Sequence, residues 1–320
     1  MDKMNGLTYK TKYVFDEISK EEKKKAFLLC DEYRAFLDEG KTERECVAAA
    51  VREAEKNGFK RIDEVSELKP GDKVYDVNRN KNIILAVIGS RDIEEGIRLV
   101  GAHIDSPRLD LKQNPLYESD EMALLKTHYY GGIKKYQWTA IPLALHGVVY
   151  KRDGEKLEIV VGEDESDPVF CVTDLLPHLG KDQMSKKLSE GIEGEALNIL
   201  VGGIKAEGKE KEAIKYGVLK LLNEKYGICE RDFISAEIEA VPAFKAKNIG
   251  FDGAFVGAYG QDDRVCAFTS LKAVFDVEKP EKTAVCLLVD KEEIGSVGNT
   301  GMLSSYFEMT VAEIASKLKG

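Results

Sequence analysis

Short apolar runs bounded by turn residues recur along the chain, and they predict buried strands. Two of them follow each other at 82–89 and 97–102, and a third extends from 283 to 289. Uninterrupted runs of this length are typical of strands that are buried on both faces of a sheet. Helical patterns at 262–277 and 311–318 alternate with these runs. The alternation predicts an α/β fold with a mixed, mostly parallel sheet sandwiched by helices.

Two capping boxes near the start of the chain predict two helices. Ser19 and Glu22 form the first box, and Thr42 and Glu45 form the second. In such a box the Ser or Thr side chain and the acidic side chain each bond a free backbone N–H of the first helical turn. We expect the first helix to end at Gly40, and we interpret both helices as scaffold.

The middle of the chain is rich in β signals. Two apolar segments flank the Asp153-Gly154 pair, which is a hairpin turn signal. We therefore predict an inserted β-rich domain at 109–246. The α/β domain then consists of 1–108 and 247–320.

Composition excludes some classes of partner. The net charge is −10, from 57 acidic and 47 basic residues, so the chain lacks the cationic excess that binds nucleic acid. No apolar run approaches the about 20 residues of a membrane helix, and no secretory signal is visible. The six cysteines form no Cys-x-x-Cys pair. We expect reduced thiols, a cytoplasmic location and no membrane partner.

Three clusters of candidate metal ligands lie where a predicted strand ends or a predicted helix begins. They are His103-Ile104-Asp105, Asp262-Asp263-Arg264 and Glu292-Glu293. Ligands of open α/β sheets bind at the carboxyl ends of strands. A hydrolytic zinc site needs one carboxylate on the metal and another nearby as a base. Taken singly, the first two clusters have ordinary alternatives, a hydrogen-bonded histidine at a strand end and acids that cap a helix.

Taken together, the clusters resemble the M18 aminopeptidases, the aspartyl aminopeptidase family. The segments Gly-Ala-His-Ile-Asp-Ser-Pro at 101–107, Gly-Gln-Asp-Asp-Arg at 260–264 and Asp-Lys-Glu-Glu-Ile-Gly-Ser at 290–296 look like its successive metal-site motifs. Their order and spacing also match. The segments 128–138 and 142–146 are similar to the bacterial branch, so the resemblance spans nearly the whole chain.

The resemblance implies a zinc-peptidase-like fold with two zinc ions per subunit. It implies three metal ligands in this chain, which are His103, Asp262 and Glu293. Asp262 is similar to the carboxylate that bridges both ions, with Asp263 as the alternative. Glu292 corresponds to the general base, and Asp105 is implied as the catalytic partner behind the histidine. The implied reaction is hydrolysis of the N-terminal residue, perhaps an acidic one, from a peptide.

The resemblance also implies an assembly. In the family, a smaller inserted domain is used in dimerisation, and dimers build a hollow dodecamer. His178 resembles a histidine region that reaches the active site of a neighbouring subunit, although a core histidine is the open alternative. His128 and His146 are interpreted as structural.

Three questions stay open at this stage. The family needs a further carboxylate and a second histidine after Glu293, whereas no histidine follows His178; we expect a truncated chain that is inactive alone. The alternatives are an M42-type aminopeptidase and an inactive assembly or binding homologue. The native metal and the N-terminal preference are open, and a cationic pocket for acidic substrates has four candidates: Arg108, Lys134, Lys135 and Arg264.

Overall fold

The computed structural model describes residues 7–318, in which helices and strands alternate. The helices are α1 (Val14–Glu17), α2 (Lys20–Glu39), α3 (Glu43–Lys56), α4 (Lys181–Ser185), α5 (Ala213–Tyr226), α6 (Gln261–Phe275) and α7 (Tyr306–Leu318). The strands are β1 (Lys60–Arg61), β2 (Lys73–Asn78), β3 (Asn82–Val87), β4 (Arg98–His103), β5 (Arg108–Ser119), β6 (Met122–Tyr130), β7 (Leu143–Tyr150), β8 (Lys156–Val161), β9 (Cys171–Val172), β10 (Ile199–Gly202), β11 (Ala236–Pro242), β12 (Lys247–Ile249), β13 (Phe255–Gly257) and β14 (Ala284–Val289).

Both predicted capping boxes are present. The Ser19 hydroxyl accepts from the Glu22 N–H and the Glu22 carboxylate accepts from the Ser19 N–H, and Thr42 and Glu45 repeat the arrangement. Helix α2 ends at Gly40, where the backbone turns away from helical geometry. The prediction of two helices is therefore confirmed, and its physical cause is the capping that the sequence encodes.

The first sheet has five strands in the order β1-β2-β3-β14-β4. The β1–β2 and β14–β4 pairs are parallel, and the β2–β3 and β3–β14 pairs are antiparallel. Helices α3 and α6 cover one face around Cys46, Leu85 and Leu271. Helix α7 covers the other face through Ile314. A mixed sheet thus lies between helices, as predicted, but its parallel and antiparallel pairs are equal in number, so it is not mostly parallel.

The second sheet has seven strands in the order β8-β7-β11-β5-β6-β10-β9. All of these neighbours pair antiparallel, and the predicted turn at Asp153-Gly154 joins β7 to β8. The strands lie in sequence between β4 and β14, which belong to the first sheet. The limits 1–108, 109–246 and 247–320 for two domains stay a prediction.

Buried charges join the start of α3 to the second sheet. The fully buried Glu43 carboxylate lies 2.8 Å from Lys81 Nζ and 3.3 Å from Arg108 Nη1. Arg108 also pairs with Glu239 at 3.2 Å. Burial alone would raise the pKa of Glu43, but the charges of Arg108 and Lys81 hold this pKa well below its usual value. Breaking such a buried network is costly, so the two sheets are firmly joined.

Among residues 7–318, no helix is both long enough and apolar enough to cross a membrane.

Candidate metal centre

The histidine and the glutamate pair meet because two neighbouring strands of the first sheet end together. Strands β4 and β14 run parallel, with His103 in register with Val289. The Ile104 N–H donates to the Val289 carbonyl at 2.9 Å and continues the pairing past His103. The turn that follows β14 carries Glu292 and Glu293. Carboxyl ends of parallel strands lie on one edge of a sheet, so this edge collects the candidate ligands.

Helix α6 brings the third cluster to the same edge. The Asp262 carboxylate lies 3.1 Å from His103 Nε2, and its side chain is 87% exposed. The Ser106 hydroxyl donates to the Asp262 carbonyl at 3.0 Å and ties the start of α6 to the chain after β4. Asp263 faces elsewhere, since its hydrogen bond raises the pKa of the Cys266 thiol. Asp262, not Asp263, therefore faces the imidazole.

The His103 ring has one nitrogen turned inward and one turned toward the acids. Nδ1 lies 3.0 Å from the Asp105 carbonyl oxygen and 3.4 Å from its carboxylate. Nε2 faces Asp262 and lies 3.6 Å from Glu292 Oε2. Burial opposes protonation, but the hydrogen bond and charge of Asp105 raise the pKa of His103 to about 9. A zinc ion would displace that proton and take Nε2 as its ligand.

Asp105 is a fully buried carboxylate that holds the parts of the site together. It accepts from the Tyr130 hydroxyl at 2.7 Å and from the backbone N–H groups of Glu292 at 3.3 Å and Glu293 at 3.2 Å. Burial alone would raise its pKa, but hydrogen bonds from His103 and Tyr130 lower it below the usual value. A carboxylate that fixes the ring of a metal-binding histidine is a common feature of zinc sites.

Three side chains form a group that fits a divalent metal ion. Ligand atoms of His103, Glu292 and Glu293 all lie within 4.8 Å of one another. One imidazole nitrogen with carboxylate oxygens is a donor set that zinc accepts in hydrolytic sites. Burial and the nearby acids raise the pKa of Glu293, as expected where carboxylates crowd together without a cation. The residues present therefore fit the zinc that the sequence predicted.

The structure brings most of the predicted site residues together, but not His178. That residue lies in an exposed turn between β9 and α4. Among residues 7–318, no hydrogen bond or ion pair joins it to the metal-binding group. The roles of His103, Asp105, Asp262, Glu292 and Glu293 stay predictions, with their proximity as support.

Two of the four cationic candidates for a substrate pocket are wrong. Arg264 is fully buried, and its Nη2 donates to the Lys41 carbonyl at 2.7 Å. Arg108 is already paired with the buried acids Glu43 and Glu239. Lys134 is exposed and Lys135 is half-buried, so these two stay available for an acidic substrate.

Tyr130 and Gly131 contact the site at Asp105 and Glu293, which the sequence did not predict. Segment 128–138 served only as a mark of a family branch, yet Tyr130 contacts Asp105 directly. A Cβ at Gly131 would lie 2.9 Å from Glu293 Oε2, so a side chain there would displace the acid. The available signal was a Tyr-Gly-Gly turn at the end of a strand pattern.

Comparisons with known proteins agree with this geometry. The family model for the aminopeptidase I zinc metalloproteases (M18) matches residues 36–320. The chain belongs to the M18 family. A relative from Clostridium acetobutylicum, named probable M18 family aminopeptidase 1, is 51% identical over 98% of the chain. One from Borrelia garinii with the same name is 51% identical over 94% of it. The M42 alternative is therefore set aside.

Solved M18 structures share the fold. A crystal structure of an M18 aminopeptidase from Thermotoga maritima matches with a TM-score of 0.92 and 47% identity, covering 97% of this chain and 67% of that one. Aminopeptidase I from Clostridium acetobutylicum matches with a TM-score of 0.89 and 49% identity, covering 97% and 70%. The predicted zinc-peptidase-like α/β fold is confirmed.

This chain is shorter than its M18 relatives. It spans 68% of the Clostridium acetobutylicum protein and 66% of the Borrelia garinii protein, or about two thirds of their length.

Proposed function

We propose that the protein is a zinc-dependent aminopeptidase that hydrolyses N-terminal residues from peptides. The observation that carries the proposal is the meeting of His103 Nε2 with carboxylates from two distant parts of the chain, Asp262 at 3.1 Å and Glu292 at 3.6 Å. An imidazole among acids at a sheet edge is the donor set of a hydrolytic zinc site. Membership of a zinc metalloprotease family supports the same function.

His103, Asp262 and Glu293 are proposed as metal ligands. The Glu293 side chain packs against Gly131, and its N–H donates to Asp105, so its carboxylate is held at the sheet edge. Asp262 reaches the same imidazole nitrogen from the start of α6. Two zinc ions need more donors than these three residues offer, so the proposed dinuclear centre requires further ligand groups.

Glu292 is proposed as the general base. Its side chain is 57% exposed, and its carboxylate lies beside the ligand atoms of His103 and Glu293 while it also faces the solvent. Bound zinc would supply an acidified water and a polarised peptide carbonyl. Glu292 accepts the proton of the attacking water and returns it to the leaving amine. Asp105 holds His103 and the backbone of the glutamate turn in position while this happens.

Assembly into homodimers and a dodecamer is also proposed. The segment around His178 exposes several large apolar side chains, which are Leu175, Leu176, Leu179, Met184 and Leu188. An apolar surface of this kind favours contact with another copy of the chain. A distant structural relative, mApe1 of S. cerevisiae, is described as a dodecamer. We propose that His178 approaches the site of a neighbouring subunit in such an assembly.

A cytoplasmic location is proposed as well. All six cysteines are free thiols, which is typical of proteins in reducing compartments.

Zinc binding and peptide hydrolysis test the proposal directly. Zn²⁺ binding is measured by calorimetry on the wild-type chain, His103→Ala and Glu293→Ala, and both substitutions should abolish high-affinity binding because each removes a ligand. Hydrolysis of chromogenic Asp, Glu and Leu substrates is measured with added Zn²⁺ or Co²⁺. The longer Clostridium acetobutylicum relative serves as the comparison protein for turnover.

Two results would contradict the proposal. Unchanged zinc affinity in both His103→Ala and Glu293→Ala would show that these residues do not form a metal centre. Zinc binding without hydrolysis of any substrate, in this chain and in the longer relative, would favour an inactive binding homologue.

A further inference from the structure

We propose that Tyr130 is a positioning residue for the metal centre, through which the second sheet fixes Asp105 and the metal ligands that depend on it. The inference rests on the proposed function. It gives the second sheet a part in the chemistry of the centre, in addition to any part in assembly.

The four donors to Asp105 divide between its two oxygens. Oδ1 lies 3.4 Å from His103 Nδ1 and 3.3 Å from the Glu292 N–H. Oδ2 accepts from the Tyr130 hydroxyl at 2.7 Å and from the Glu293 N–H at 3.2 Å. The phenol makes the shortest of these contacts, and it is the one that comes from the second sheet. Its loss would leave Oδ2 with the longer backbone contact and free the carboxylate to rotate.

Tyr130 is itself held rigidly. It lies at the end of β6, paired with Arg108 on β5, and its side chain is buried. The Arg108 guanidinium carbon lies 3.8 Å from the centre of the phenol ring. Arg108 in turn is fixed by the buried acids Glu43 and Glu239. The ring therefore has little freedom to turn away from Asp105, and the joint between the sheets determines where its hydroxyl lies.

The residue after Tyr130 contacts the centre at a second point. Gly131 has φ +72, and a Cβ there would lie 2.9 Å from Glu293 Oε2 and 3.1 Å from its Cβ. Residues 130–131 thus contact both the carboxylate behind His103, through the Tyr130 hydroxyl, and the proposed ligand Glu293, through the Gly131 backbone. The end of β6 and the turn after it therefore contact the site twice, at Asp105 and at Glu293. Both contacts restrict where the proposed metal ligands can lie.

The physical consequence is an effect on metal affinity. Side chains that orient metal ligands without touching the metal typically contribute about 10- to 100-fold in metal affinity or activity. Removal of the Tyr130 hydroxyl should weaken metal binding within that range. A residue that only stabilises the fold would lower the melting temperature and leave the metal affinity of the folded protein unchanged.

The test compares two tyrosines on the same strand. Tyr130→Phe removes the hydroxyl and keeps the ring under Arg108. Tyr129→Phe makes the same change at the neighbouring, more exposed residue on the opposite face of β6. Co²⁺ affinity and the visible spectrum of bound Co²⁺ are measured for both and for the wild-type chain. We expect Tyr130→Phe to lose about 10- to 100-fold in affinity and to change the spectrum, and Tyr129→Phe to match the wild type.

A second pair of variants covers the case in which Tyr130→Phe does not fold. Gly131→Ala places a methyl group against Glu293, whereas Gly132→Ala meets nothing within 4 Å. Gly131→Ala should weaken Co²⁺ binding, and Gly132→Ala should leave it unchanged.

The outcomes separate this inference from the proposed function. If Tyr130→Phe has the Co²⁺ affinity and the spectrum of the wild type, the positioning role is overturned. If Tyr130→Phe does not fold, wild-type Co²⁺ affinity in Gly131→Ala overturns it. His103→Ala is measured in the same series. If His103→Ala binds Co²⁺ as the wild type does, the metal centre itself fails; if it loses binding while Tyr130→Phe keeps it, only the positioning role fails.

Discussion

Two buried histidines in this protein are each flanked by carboxylates, yet they differ in what their second nitrogen can reach. His103 lies at the sheet edge with Nδ1 turned inward to Asp105 and Nε2 turned to the exposed acids Asp262 and Glu292. His146 is 3% exposed, and both of its nitrogens contact acids, Glu45 at 2.7 Å and Glu163 at 3.1 Å.

The acids around His146 have other donors or cations as partners, whereas among residues 7–318 no Lys or Arg pairs with Asp262 or Glu292. Lys41 and Lys245 each lie 2.6 Å from an oxygen of Glu163. Glu45 also accepts the backbone N–H groups that it caps at the start of α3. A histidine among satisfied acids stabilises a fold, whereas one that faces unsatisfied, exposed acids can bind a cation. The difference lies in the satisfaction of the partners, not in the type of neighbour.

The largest expected effect concerns the acid beside His103. Glu292→Gln should lower the rate of peptide hydrolysis by at least about 10²- to 10⁴-fold, because a general base is lost. Zinc content, measured by elemental analysis, should stay at the wild-type level. The assay is run on a protein with measurable wild-type turnover. Near-normal turnover in Glu292→Gln would contradict the assignment of Glu292 as the general base. The acid beside His103 would then have no catalytic role, like the acids beside His146.

The second prediction separates the two histidines by zinc affinity. His103→Ala should weaken zinc binding by more than about 100-fold, beyond the loss expected for a residue that only orients a ligand. His146→Ala should leave the zinc affinity of the folded protein unchanged, because Glu163 faces Lys41 and Lys245 and Glu45 accepts backbone N–H groups. Calorimetry measures both variants. Equal losses of zinc affinity in the two variants would contradict the assignment of metal binding to His103 alone.

The third prediction reverses the order of the two variants for stability. His146→Ala should lower the free energy of unfolding by about 2–3 kcal/mol, somewhat less than the about 3–5 kcal/mol of a fully buried ion pair, since Glu45 is partly exposed. His103→Ala in the absence of metal should cost less, because the two acids that Nε2 faces are exposed and Asp105 keeps its three other donors, Tyr130 and the N–H groups of Glu292 and Glu293. Urea unfolding of the metal-free variants measures the difference. A larger loss in His103→Ala would contradict the structural role of His146.

The smallest expected effect is a pH dependence at His146. Burial opposes protonation, but the hydrogen bonds that the ring donates to Glu163 and Glu45 outweigh it and raise the pKa of His146 above its usual value. The unfolded chain has a pKa of about 6.5 at this residue. The imidazolium therefore adds its full stability below about pH 6.5 and loses it as the pH rises through the folded pKa.

The measurement is the stability difference between the wild type and His146→Gln across this pH range. The other charged groups around the ring, Lys41 and Lys245, are present in both proteins. The difference should shrink as the pH rises. A difference that grows with pH would show that the neutral ring is the form the fold prefers.

The sequence by itself determined the local elements and the identity of the chemical groups. Capping boxes at Ser19 and Thr42 specified two helices, and apolar runs specified the strands that end at His103 and Val289, because both signals act between residues close in the chain. The motifs at 101–107, 260–264 and 290–296 also carried the family resemblance that the matching relatives confirm.

Only the tertiary structure decided which charged groups are free to act. Arg264 and Arg108 looked available for a substrate, but both are buried among partners from other elements. In the sequence, Tyr130 was only part of a segment that resembles the bacterial branch of the family. In the structure, its hydroxyl donates a hydrogen bond to Asp105 from the second sheet. The physical reason is that burial and hydrogen-bond satisfaction are set by residues far apart in the chain, and no local pattern records which of them meet.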